Sequence, residues 1–157
     1  MTLRFLTPLT AAEQQAAGLA APQPLAIADR VRYSELDPLD HVNNKAYLGW
    51  FESLRVAYFD AFLGPYFTTQ PGPRPVIRSA EIQYIREMVA AEPYIATARV
   101  TSFRQSSFVM EQQLWSGDLR ATLRAVMVVL ADDGSGKLTL PDSLRHALVE
   151  RDGARAE

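Results

Sequence analysis

Residues that can move protons, hold turns or cap a helix crowd between positions 35 and 44: Glu35, Asp37, Asp40, His41, Asn43 and Asn44. A carboxylate placed shortly before a helix can act as nucleophile or general base. The first N–H groups of that helix lack intrahelical acceptors and sit at the positive end of its dipole, so they can stabilise a developing oxyanion. Together the two features suit attack on an acyl carbonyl. The same residue types also build a plain Asx turn and helix cap, in which Asp37 and Asn43 only satisfy backbone donors. Spacing alone leaves both readings open.

Composition removes many competing chemistries. The chain of 157 residues has no cysteine, which excludes disulfide scaffolds, thiolate metal sites and cysteine nucleophiles. Its two histidines, His41 and His146, are too few for a His-rich metal site, and neither a metal nor a cofactor is expected. His146, among charged neighbours near the end of the chain, reads as a surface residue. Lys+Arg number 16 against 18 Asp+Glu, a net charge of −2 that supplies no bulk attraction for nucleic acid or an anionic membrane. No G-x-S-x-G elbow is present. Gly134-Ser135-Gly136-Lys137 lacks the spacing of a phosphate loop and reads as a turn. The apolar run Ala125 to Ala131 is far shorter than the roughly 18–20 residues of a membrane helix. With no signal peptide evident, the cytoplasm is the expected location.

The elements that must position the polar cluster follow from periodicity. Alternation from Leu25, with Val31 and Tyr33 on one face and Arg30 and Arg32 on the other, predicts a strand. Tyr47, Phe51, Leu54, Tyr58 and Phe62 recur at helical steps, and Trp50, Ala57 and Ala61 widen that stripe. A helix capped by Asn43 or Asn44, stopped by Gly64-Pro65 and buried on most sides is expected. Four period-two runs follow, Val76 to Arg86, Tyr94 to Arg104, Ser107 to Trp115 and Leu119 to Ala131. In the first, Ala80, Ile82 and Tyr84 share one face. In the second, Ala96, Ala98 and Val100 oppose Thr97, Arg99 and Thr101. Short connections between runs imply an antiparallel sheet packed against the helix. Pro141 and Asp142 open a short terminal helix. Thr10 and Glu13 form a capping box for a helix over Ala11 to Ala17, within an N-terminal extension covering residues 1–24. Residues 25–157 form a single α+β domain.

The segment from Arg32 to Glu52, R-Y-S-E-L-D-P-L-D-H-V-N-N-K-A-Y-L-G-W-F-E, resembles the signature of hotdog-fold acyl-CoA thioesterases. The branch is that of 4-hydroxybenzoyl-CoA thioesterase, whose pattern reads R-Y-x-E-x-D-x-x-G-H-V-N-N-x-x-Y-L-x-x-F-E. Ile82 to Arg86 and Arg104 to Phe108 resemble later strands of the family, so the likeness covers roughly Leu25 to Leu148. It implies a hotdog fold, an antiparallel sheet wrapped around a long buried central helix. It implies hydrolysis of a fatty or aromatic acyl-CoA, with Asp37 as nucleophile or general base and the N–H of Asn44 polarising the thioester oxygen. His41 and Asn43 would shape the turn, with Asn43 also at the substrate and His41 contacting substrate or relaying a proton as a catalytic residue. Tyr47, Trp50, Phe51 and Tyr58 would meet the acyl group. Glu52 would serve structure or a subunit interface. Fourteen of the sixteen basic residues are Arg, and Arg78, Arg86 and Arg104 are candidates for the coenzyme A phosphates. A homodimer or dimer-built homotetramer is implied. Alternatives are an acyl-carrier-protein thioesterase and a non-catalytic hotdog protein that binds an acyl group or a partner. One position departs from the pattern: Asp40 stands where the family has glycine. It can tolerate a positive φ and face solvent, or point into the site and repel anionic substrates.

Overall fold

A computed structural model describes residues 2–157. Its elements run in the order α1 (Ala11–Ala16), β1 (Leu25–Arg30), α2 (Asn44–Phe62), β2 (Pro73–Tyr84), β3 (Pro93–Phe103), β4 (Ser107–Ser116), β5 (Asp118–Ala131), α3 (Asp142–Ala147) and β6 (Arg155–Ala156). The six-stranded sheet has the order β1-β3-β4-β5-β2, antiparallel except for the short β6, which runs parallel to β3. Tyr47, Phe51, Leu54 and Tyr58 of α2 are buried and share one core with Ala96, Val100, Met110, Leu114 and Leu123 of the sheet. Each large apolar side chain removed from water contributes about 1.5–3 kcal/mol. This is the expected α+β hotdog arrangement.

Several expectations change once the chain is packed. The sheet covers one side of α2 only, so Leu48 and Val56 are exposed on the other and the helix is not buried on most sides. β1 stops at Arg30 instead of running through Tyr33. Residues Tyr33–Glu35 form a 3-10 turn, in which Glu35 Oε1 accepts the Arg32 N–H at 2.7 Å. The alternation breaks there, and Tyr33 is 85% exposed.

β2 pairs with β5, not with β3, its neighbour in sequence. The link over 85–92 therefore crosses the end of the sheet, and β2 becomes an outer edge. Ala80 and Tyr84 are exposed there, while Ile82 packs partly on the core. Thr97, which alternates with Ala96 and Ala98 as expected, is itself buried, on the same side as Ile95. Leu9 and Leu19, with Leu3 and Phe5 of the extension, cluster against Ala26, Ala28 and Ile95. The Thr10–Glu13 capping box forms as expected, and α1 ends at Ala16.

The C-terminus is tied inward by a polar knot. The carboxylate of Asp152 accepts from the Tyr58 hydroxyl, the Val100 N–H at 2.8 Å and Arg151 Nε at 2.8 Å. Burial, reinforced by the nearby Asp152 charge, pushes the Tyr58 hydroxyl well above its usual range.

Candidate active site

Residues 36–42 form a tight hairpin between β1 and α2. Leu36 and Val42 bridge in antiparallel fashion, and the Asp37 N–H donates to His41 O at 2.7 Å. The Asp37 carboxylate folds back over this turn, where Oδ1 accepts the N–H groups of Leu39 at 2.8 Å and His41 at 3.2 Å. Oδ2 has no hydrogen bond among the described residues, so one carboxylate oxygen is held and the other is available. Asp40 closes the turn at φ 61°, the left-handed conformation glycine adopts without strain, and its side chain is exposed.

The helix start is built with equal economy. Asn43 is the N-cap: its Oδ1 accepts the Ala46 N–H at 2.9 Å, and its Nδ2 donates to Glu35 O at 2.9 Å. The N–H groups of Asn44 and Lys45 find no acceptor among the described residues. They form the positive end of a 19-residue helix, a few residues after the free oxygen of Asp37.

The crossover 85–92 packs against this loop. Val42 N–H donates to Met88 O at 2.9 Å, and His41 Nδ1 lies 3.6 Å from Glu87 Oε2. Arg120 of β5 fixes the crossover in turn. Its carbonyl accepts Ile85 N–H at 2.9 Å, its guanidinium donates to Glu87 O at 2.8 Å, and it pairs with Glu92 at 2.8 Å. An aromatic row braces the first turns of α2. Tyr84 meets Tyr47 edge-on at 5.2 Å, Tyr47 tilts onto Trp50 at 5.3 Å, and Trp50 stacks on Tyr94 at 4.4 Å. Trp50 Nε1 donates to Glu35 Oε2 at 2.6 Å, and the Tyr84 hydroxyl to Asn44 O at 3.3 Å. Burial pushes the Tyr47 hydroxyl above its usual value.

Asp37, His41, Asn43, Asn44 and Arg86 thus gather at one end of the sheet, where Arg86 pairs with Asp118. Tyr47 and Phe51 belong to the core, and Trp50 opens onto a groove of about 400 Å³ between α2 and β1 and β3. Arg104 lies elsewhere, since it follows the far end of the 11-residue β3, about 35 Å along the strand from Pro93. Arg78 sits at a bulge in the edge strand β2. A second cavity of about 290 Å³ opens at that far end. Glu52, Arg55 and Tyr58 of α2 line it with Ile77, Met110 and Met127. Neither cavity touches Asp37 or Asn44 within one protomer.

Periodicity does not reveal Glu87, Met88 or Arg120, because the crossover depends on a strand order the sequence does not display. Gln112 had a visible signal: it occupies the apolar parity of β4, between Met110 and Leu114. The structure buries it fully, bonded to Phe51 O at 2.8 Å and to Arg55 at 2.9 Å.

The family model described as the thioesterase-like superfamily matches residues 31–148. No curated protein matches. Among solved structures, one described as thioesterase superfamily from Jannaschia sp. CCS1 is 37% identical, covers 99% of this chain and 100% of its own, and has a TM-score of 0.89. A thioesterase from Thermus thermophilus, complexed with coenzyme A and zinc, is 26% identical over 83% of this chain and 96% of its own, at a TM-score of 0.70. The probable thioesterase YbaW of Escherichia coli, 22% identical over 81% of this chain and 98% of its own, shares the fold at a TM-score of 0.70.

Proposed function

The chain belongs to the thioesterase-like superfamily and is a thioester hydrolase, and we propose that it cleaves a fatty or aromatic acyl-CoA at the Asp37 loop in the cytoplasm. The observation that carries this reading is the pairing of a half-tethered carboxylate, Asp37, with the unpaired N–H groups that open α2. The Asn44 N–H takes the thioester oxygen as it gains charge. Asp37 Oδ2 either attacks the acyl carbon or removes a proton from a water that does so. Both routes form a carbon–oxygen bond, break the carbon–sulfur bond and release coenzyme A as a thiolate. Water cleaves the acyl-enzyme in the first route. The signature around Asp37 favours the 4-hydroxybenzoyl-CoA branch, and the coenzyme A held by the Thermus relative favours that carrier over an acyl-carrier protein.

The working unit is a homodimer, or a tetramer built from it. β2 is an unprotected 12-residue edge with Ile77, Tyr84 and Ile85 exposed along and beyond it, and such edges invite pairing with another strand. Antiparallel pairing of β2 with its own copy would bring the Asp37 end of one protomer to the cavity end of the other. The site would then draw its acyl cavity, and Arg104, from the partner.

Hydrolysis of acyl-CoAs from acetyl to palmitoyl, plus aromatic esters and one carrier-protein thioester, followed by released thiol, tests the reading. Asp37→Asn and Asp37→Ala should each lower kcat by about 100-fold or more. Wild-type rates in both would remove Asp37 from the mechanism. A wild type silent on every thioester would favour the acyl-binding alternative.

A further inference from the structure

The cavity between α2 and the far end of the sheet has apolar walls, Met110, Met127 and Phe108 among them, yet Arg55 opens into it. Its half-buried guanidinium is turned toward the core: Nη1 donates to Gln112 Oε1 at 2.9 Å, and Gln112 is wholly buried. Gln112 is itself anchored by its bond to Phe51 O. A neutral amide orients the guanidinium without neutralising it. Arg55 forms no ion pair among the described residues, and Glu52, one turn earlier at the cavity rim, is exposed. Desolvation lowers the Arg55 pKa, opposed by the charge of Glu52, but a guanidinium stays protonated throughout the working range. A cation partly withdrawn from water, with N–H donors left over, is costly until an acceptor meets it. The planar fork of arginine fits a carboxylate best.

We propose that Arg55 is a specificity residue that receives an oxygen acceptor at the far end of the acyl group, a carboxylate above all, while the apolar walls hold the methylenes between. The inference rests on the thioesterase reading and narrows its substrate class to acyl groups with an oxygen-bearing tail. Gln112 is the positioning residue that aims the fork. A methyl-ended chain of equal length fills the same walls but leaves the donors unmatched, and a site built to hydrogen-bond a ligand discriminates against the analogue that lacks the partner.

Binding to the full chain, measured by titration calorimetry, needs no turnover. Adipamate, whose amide stands in for the thioester and whose tail is a carboxylate, should bind at least about tenfold tighter than hexanamide. Arg55→Met should erase that preference, and Arg55→Lys should keep part of it. In turnover, KM for adipyl-CoA should lie about tenfold below that for hexanoyl-CoA at similar kcat, and Arg55→Met should bring the two together. Equal affinity of the wild type for adipamate and hexanamide overturns the proposal, whatever the variants do. So does an Arg55→Met chain that changes only its oligomeric state, because the fork would then serve a partner's carboxylate. If no thioester is cleaved but adipamate binds through Arg55, the thioesterase reading falls and the acceptor site stands.

Discussion

At the scale of single residues, the Asp37 turn does two jobs with one carboxylate. Oδ1 is committed to two backbone N–H groups, which removes rotational freedom and aims Oδ2. The departure at Asp40 is absorbed by the backbone, since Asp tolerates the left-handed region better than most residues and this side chain reaches solvent. Asp40→Gly should therefore change stability by less than about 1 kcal/mol, with relief of strain set against the greater freedom of glycine in the unfolded chain. Its kcat should stay within about threefold of wild type, because an exposed carboxylate couples weakly to the site. A gain beyond tenfold would place the Asp40 carboxylate against the substrate. The Asp37 turn and a cap at Asn43 or Asn44 were legible from residue type and order alone, because turn and cap chemistry is local, and the structure chose Asn43.

At the scale of elements, the start of α2 is held from three directions: its cap, the aromatic row beneath it and the crossover beside it. Asn43 links the cap to the aromatic row, because it bonds Ala46 and ties back to Glu35, which also anchors Trp50. Asn43→Ala should cost about 1–2 kcal/mol in urea denaturation and lower kcat more than it raises KM, since the Asn44 N–H would lose its fixed direction. Unchanged kcat with lowered stability would make Asn43 a cap and nothing more. The helix itself was plain in the stripe from Tyr47 to Tyr58. The crossover was not, because residues 87–92 show no periodicity, and their role comes from Arg120, distant in sequence, reaching Glu87 and Glu92.

At the scale of the whole molecule, the chain separates its Asp37 loop from the cavity that Arg55 enters, and the proposed pairing along the open edge of β2 would reunite them. Ala80 is exposed near the middle of that edge. In an antiparallel self-pairing, Ala80→Glu would set like charges close together across the twofold. Sedimentation should show the dimer weakened by about 100-fold or more, with turnover lost in parallel and the far-ultraviolet spectrum kept. Full activity in a monomeric variant would show that one chain carries a complete site. The sequence by itself determined the helix, the turn that precedes it, the strand periods and the chemistry the turn can support, since each depends on neighbours a few positions apart. The tertiary structure alone decided that β2 pairs with β5, that Arg120 steadies the crossover, and that Arg55 turns inward onto Gln112. Those outcomes depend on which surfaces bury one another, and that choice is made by packing between distant segments, not by any local pattern.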